Sequence, residues 1–203
     1  MKTFRFICFI AVLILLFRPV VHAQDINPKL DSKTWLDNET RIINGYRVTK
    51  IFGSSIYARR AYNYMPLTSV AYKDLDQLKE ETKAKAEQEK WDQQKLDKKL
   101  TELDTVAAGG AIEIYISRYN EEDANFKWFF VIIRGEDDKG KLWEHDLGYQ
   151  APQVPYERGW WNYKQVYIPV KTELPFFIYL NDKHSRNLSD FKFRIEKNTE
   201  EEN

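Results

Sequence analysis

The feature that most limits the fold of this 203-residue chain is a change of hydrophobic pattern at Gly109-Gly110. After these glycines, apolar residues alternate with other side chains in short runs, most clearly at 112–116 and 191–195. Because side chains point alternately to the two faces of a β-strand, this alternation predicts strands with one buried face.

Two further runs, 126–133 (FKWFFVII) and 174–180 (LPFFIYL), are apolar at consecutive positions. Such runs are typical of central strands that are covered on both faces. The pattern also predicts strands at 141–147 and 160–170, which makes six short strands in all. Residues 109–197 are therefore predicted to form an antiparallel β-sandwich domain with jelly-roll-like connections.

The segment 24–67 is predicted to be an N-terminal hairpin region. Asn44-Gly45 lies between apolar residues, and this pair readily adopts the positive φ angles that a two-residue hairpin turn requires. The second strand of the hairpin is rich in Tyr, Ile and Val and is expected to end before Pro66.

The segment 68–108 predicts one long charged α-helix, with Thr68 and Ser69 as N-caps and the glycine pair as its end. Residues 73–104 carry 18 charged side chains of both signs. Leucines form short apolar stripes near both ends, but 79–90 has only alanines to bury. We therefore expect this part to be solvated, or the helix to bend or project.

The predicted fold class is therefore mainly β, and α+β overall. A β-hairpin region and one long charged helix precede the antiparallel sandwich, and 198–203 are predicted to be a disordered acidic tail.

Residues 1–23 have the three parts of a secretory signal peptide. A basic start precedes an apolar run of 12 residues, and the segment ends in the small residue Ala23. Twelve residues are too few to span a bilayer as a helix, so no stable membrane span is expected after cleavage. The sequence predicts an exported protein that begins at Gln24, in the bacterial periplasm or outside the cell.

Charge and cysteine content restrict the partners. Residues 1–23 carry three of the 31 basic residues and none of the 31 acidic ones, so the remaining chain is mildly acidic. This balance gives no electrostatic basis for binding nucleic acid. The single cysteine, Cys8, lies in the leader, and a small exported chain without disulfides favours a bacterial envelope protein.

The sequence contains few residues in patterns typical of catalysis or cofactor binding. His145 and His184 are too far apart in sequence to form a metal-ligand motif, and no serine lies in a G-x-S-x-G turn. Glu144 and Asp146 share one face of a predicted strand, as the carboxylates of a glycan hydrolase would. We therefore predict no cofactor and no metal site, and a non-catalytic protein in preference to a hydrolase.

Aromatic residues concentrate between 149 and 167. If Val166 faces the core, the side chains of alternate residues in this strand point away from it. Aromatic rings with an amide favour a surface that stacks on sugar rings and hydrogen-bonds their hydroxyls. The predicted ligand-binding residues are Tyr149, Tyr156, Trp160, Trp161, Tyr163, Gln165 and Tyr167.

Two alternatives stay open at this point. Packing by the long helix, with Trp91, or by the N-terminal hairpin is the stronger explanation for the aromatic face, because large aromatic residues are more often buried than displayed. The sequence still favours a protein that binds a glycan or another envelope component, with an envelope assembly protein whose charged helix docks a protein partner as the alternative.

Overall fold

A computed structural model describes residues 35–53, 67–156, 159–183 and 189–199. The predicted signal peptide, His184 and residues 200–203 of the predicted tail lie outside these ranges. The helices are α1 (Leu75–Glu89) and α2 (Gln93–Val106), with two short 3-10 helices at Glu122–Ala124 and Phe126–Trp128. The strands are β1 (Thr40–Ile43), β2 (Tyr46–Phe52), β3 (Leu67–Lys73), β4 (Ala111–Arg118), β5 (Phe129–Arg134), β6 (Lys141–Asp146), β7 (Gln153–Tyr156), β8 (Gly159–Tyr167), β9 (Phe176–Asp182) and β10 (Ser189–Lys197).

The strands form two antiparallel sheets. The larger has the order β1-β2-β10-β9-β5-β6, and the smaller has the order β3-β4-β8-β7. This confirms the predicted antiparallel, mainly β fold with a sandwich-like arrangement, whereas the jelly-roll connections are not confirmed. Strands β1, β2 and β3 belong to the sheets, so the sandwich includes strands from segments that the sequence assigned to the hairpin region and the helix.

One hydrophobic core joins the two sheets. Val48, Phe176 and Phe193 contribute to it from the larger sheet, and Ile114 and Val166 from the smaller one. Full burial of an aliphatic or aromatic side chain of this kind stabilises a fold by about 1.5 to 3 kcal/mol. This shared core fixes the orientation of each strand, and therefore which side chains face outwards.

The predicted hairpin turn is confirmed. Asn44 and Gly45 have φ angles of 53° and 79°, and they join β1 to β2 with Ile43 opposite Tyr46. Both central residues of a type I′ turn need positive φ, which Asn and Gly adopt most easily.

The prediction of one long helix across 68–108 is not confirmed. Its first residues form β3, in which Thr68 pairs with Ile116 of β4, and Asp74 is the N-cap of α1 instead. Lys90 then ends α1 in the left-handed conformation, with a φ of 55°, and the chain folds back as α2. A single helix across this segment would be longer than a domain of this size is wide. Two antiparallel helices are each short enough to fit along it.

The apolar runs of β5 and β9 are covered by protein on one face only. Val131 and Ile178 are fully buried, while their neighbours on the outer face are half-buried. Lysine side chains cover part of this outer face, with Lys183 Nζ 5.2 Å from the Phe130 ring centroid and Lys192 Nζ 4.2 Å from that of Phe177. The apolar stem of a lysine side chain can cover apolar surface in this way while its ammonium group stays in water. This explains why both faces of these strands are apolar in sequence.

The helical hairpin, which we define as α1 and α2 together, docks on the outer face of the smaller sheet. Leu78 of α1 and Leu103 of α2 pack with Ala107 and Ala111, and Leu75 lies at the margin of this cluster. The cluster is separate from the main core, so the hairpin is an addition to the sandwich, and its position creates the site described next.

Candidate functional site

Strand β8 presents three of its four aromatic side chains to the outer face of the smaller sheet. Val166 is buried in the core, as the alternation predicted. The opposite set faces outwards and pairs with outward residues of β4, so that Trp161 lies opposite Ser117 and Tyr167 lies opposite Ala111. Trp161, Tyr163, Gln165 and Tyr167 therefore share one surface.

Trp160 and Tyr149, two of the other predicted ligand-binding residues, are not part of this surface. Trp160 pairs with the buried Arg118 and faces the opposite side of the sheet. Tyr149 is 73% exposed in the connection between β6 and β7. Tyr156 belongs to β7, and its side chain is outside the part of the structure that is described.

Trp161 is held by packing. Its ring stacks on Tyr115, with 6.1 Å between ring centroids and 24° between the planes, and it also packs against the main core. Tyr115 itself is only 8% exposed. At this end of the surface, packing therefore accounts for the position of the Trp161 ring.

Tyr163 is engaged in a buried polar network. Its hydroxyl donates to Glu113 Oε1 at 2.7 Å, and Lys73 Nζ lies 3.0 Å from the same oxygen. Lys73 also reaches Glu81 of α1 at 2.8 Å, and the side-chain amide of Asn44 donates to Glu113 Oε2 at 3.3 Å. The network ties the helical hairpin, the β1–β2 turn and the smaller sheet together.

The network also fixes protonation states. Burial raises the pKa of Tyr163, and its hydrogen bond to Glu113 raises the pKa further. For Lys73, burial alone would lower the pKa, but the Glu81 and Glu113 carboxylates outweigh it and raise the pKa. At neutral pH Tyr163 is therefore a neutral donor and Lys73 a cation.

Gln165 and Tyr167 line an open cleft between β8 and the helical hairpin. Its volume is about 360 Å³, and Tyr167 is 42% exposed. We call it the hairpin–β8 cleft. The helical hairpin contributes Glu81, Lys85, Trp91, Lys99, Glu102 and Leu103 to its lining.

Trp91 is the member of this site that the sequence indicated only as a possible cover for the aromatic face. It lies in the connection between α1 and α2, where its indole N–H donates to Glu89 at 2.8 Å and Lys95 Nζ lies 4.0 Å from the ring centroid. The sequence feature that could have indicated Trp91 as a site residue is that it is a lone tryptophan in a charged segment. Its placement near Tyr167 depends on the antiparallel folding of two helices, which the pattern did not predict.

Two larger clefts flank the N-terminal end of α1. The first, of about 770 Å³, contains Tyr46 and Tyr72, whose hydroxyls already donate to Asp74 at 2.5 Å and to the Gly109 carbonyl at 3.0 Å. Burial raises the pKa of Tyr72 to about 12. The second, of about 740 Å³, has acidic side chains of α1 and no aromatic ring among the described residues that line it. Neither offers a ring and an amide to the same space.

The carboxylate pair Glu144 and Asp146 lies on the exposed edge strand β6. Glu144 forms an ion pair with Lys141 at 2.5 Å, and Asp146 forms one with Lys183. The hydrogen bond from Lys183 lowers the pKa of Asp146. Both carboxylates are therefore engaged by lysine side chains on an exposed strand.

Within the described ranges, no group of three His, Cys, Asp or Glu side chains is placed to hold a metal ion. None of the helices there is both long and apolar enough to cross a membrane.

Comparisons with protein-family models, with curated proteins and with solved structures find no match to this chain.

Proposed function

We propose that this protein is an exported, non-catalytic ligand-binding protein that binds a glycan of the cell envelope in the hairpin–β8 cleft. The observation that supports the proposal is the combination of an exposed Tyr167, a half-buried Gln165 and Trp91 around one open space. The two rings offer faces for stacking on sugars, and the amide offers one donor group and one acceptor.

Binding is tested with a glycan array and by titration of the sugars that give a signal. Tyr167→Ala and Gln165→Ala should each weaken binding about tenfold, because each removes one contact to the ligand. Tyr149→Ala is the control, since Tyr149 is also an exposed tyrosine but lies outside the cleft. No glycan signal from the wild type, or equal losses in all three variants, would contradict the proposal.

Export is tested separately. Protein isolated from the native host should begin at Gln24, because the apolar run of the leader is short and ends near a small residue. Intact mass that includes Met1 would rule out cleavage.

The helical hairpin also favours the alternative function, docking of an envelope protein. Strands β3 and β4 are neighbours in the sheet, so a short turn would connect them, yet the chain inserts two helices there. A photo-crosslinker at Lys98 tests this surface, with the adjacent Lys99 inside the cleft as the comparison. A protein adduct at Lys98, with no glycan bound by the wild type, would favour docking.

A further inference from the structure

The two aromatic rings of the hairpin–β8 cleft lie near opposite ends of α2. Tyr167 lies opposite Ala111 in the β4–β8 ladder, and Ala111 belongs to the same hydrophobic cluster as Leu103 near the end of α2. Trp91 precedes the start of α2 at Gln93. From Gln93 to Leu103 the helix advances ten residues, or about 15 Å along its axis. A spacing of this size along the helix indicates that a single sugar ring does not stack on both aromatic side chains.

We propose that the cleft binds a linear oligosaccharide that runs along the helical hairpin, with one unit on Tyr167 and a later unit on Trp91. This inference rests on the proposed glycan-binding function and specifies its ligand. Gln165 lies beside the Tyr167 end, because it pairs with Glu113 two positions before the Tyr167–Ala111 pair. The polar contact therefore belongs to the unit at the Tyr167 end.

The charges along the cleft favour an uncharged chain. Its lining has two basic side chains, Lys85 and Lys99, and two acidic ones, Glu81 and Glu102. Each of these charges has a partner, because Lys99 lies 2.7 Å from Glu102, Glu81 lies 2.8 Å from Lys73, and Lys85 lies 3.8 Å from Glu89. A polyanion would find no free positive field here, whereas the hydroxyls of a neutral sugar can bond to groups of either sign.

The ring at the far end is held in place. The indole N–H of Trp91 donates to Glu89 at 2.8 Å, and Lys95 Nζ is 4.0 Å from the ring centroid. A ring fixed in this way loses little conformational freedom when a ligand stacks on it, which favours binding.

The experiment compares ligands of different length. Binding is measured by calorimetry with homo-oligomers of glucose, N-acetylglucosamine, galactose and mannose, from one to six units long. For the sugar that binds, the hexamer should bind at least tenfold more tightly than the monomer. Trp91→Ala should remove most of this gain with length, whereas Tyr167→Ala should weaken binding of the monomer and of the hexamer alike. Trp91→Phe keeps a ring and should retain part of the gain.

The outcomes separate the two proposals. If no sugar of any length binds, the glycan-binding function fails, and this inference with it. If the monomer binds as tightly as the hexamer, or if Trp91→Ala keeps the full dependence on length, glycan binding stands and the extended ligand is ruled out. Thermal unfolding of Trp91→Ala and Trp91→Phe shows whether a loss of binding reflects a lost contact or a displaced hairpin.

Discussion

Side chains on the outer face of β8 differ in what surrounds them, although they alternate along one strand. Trp161 packs on Tyr115 and the core, Tyr163 donates to a buried carboxylate, and Tyr167 is 42% exposed beside the helical hairpin. Along this face, side chains therefore change from packed to exposed within a few residues. Substitutions at the packed end should lower stability, and those at the exposed end should lower binding.

Trp161→Ala should destabilise the fold by about 2 to 4 kcal/mol, because it removes a large ring from a packed contact. Tyr167→Ala should cost less than about 1 kcal/mol, since much of its surface is already in water. Denaturant unfolding of the two variants measures the difference. Equal losses would show that Tyr167 is also a packing residue.

Glu113 is the residue on which the buried network depends. Its side chain is 2% exposed and accepts from Tyr163 while it contacts Lys73. Glu113→Gln should cost about 2 to 4 kcal/mol, because it leaves the buried ammonium of Lys73 with one carboxylate instead of two. Glu80→Gln is the control, since it breaks an exposed ion pair with Lys83 and should change stability little. Comparable midpoints of urea unfolding for the two variants would contradict the assignment.

The same network predicts how stability depends on pH. The pKa values of Tyr163 and Lys73 are both raised, so the folded protein holds these protons more tightly than the unfolded chain does. Their contribution is therefore complete below about pH 10, near the ordinary values of both groups, and is lost as the pH rises above it. Tyr163→Phe should make unfolding curves between pH 9 and 11 less steep in their dependence on pH. An unchanged profile would mean that Tyr163 does not titrate with folding.

At the scale of elements, the features that the sequence predicted were those set by local chemistry. Asn44-Gly45 specifies its turn through positive φ, and the alternation around Val166 specifies the two faces of β8. The helical hairpin was missed because Lys90 is an unusual residue for a left-handed helix end, a position that glycine usually occupies.

The cleft was missed for a related reason. Trp91 and Tyr167 are far apart in sequence, and they line one space only because α2 folds back along α1. Hydrophobic periodicity predicts which face of a single helix or strand is buried. It does not predict which elements pack together, and a site between two elements depends on that packing.

Two alanines of α1 test how the helical hairpin packs. The sequence indicated that 79–90 is solvated throughout, but Ala86 is only 5% exposed, whereas Ala84 is exposed. Ala86→Lys should therefore destabilise the protein by about 1 to 3 kcal/mol, because the longer side chain does not fit the contact. Ala84→Lys, two residues earlier on the same helix, should stay within about 0.5 kcal/mol of the wild type. Thermal melts in which both variants behave alike would mean that α1 is solvated on both sides.

For the whole molecule, the question is whether the sandwich depends on the helical hairpin. The main core contains residues of both sheets and none of α1 or α2, whose Leu78 and Leu103 belong to the separate small cluster with Ala107 and Ala111. The hairpin should therefore be removable, in contrast to any of the strands.

Replacing residues 75–106 with a short Asn-Gly-containing turn should give a chain that still folds, because β3 and β4 are antiparallel neighbours that such a turn can join. The variant loses the small cluster and the Lys73–Glu81 contact but keeps Lys73 beside Glu113, so we expect cooperative unfolding with a loss of about 2 to 5 kcal/mol. Near-ultraviolet circular dichroism should retain the signal of the Tyr115–Trp161 stack, while glycan binding disappears. A variant that folds and still binds glycan would place the binding site elsewhere, and one that does not fold would show that the helical hairpin is part of the folding unit.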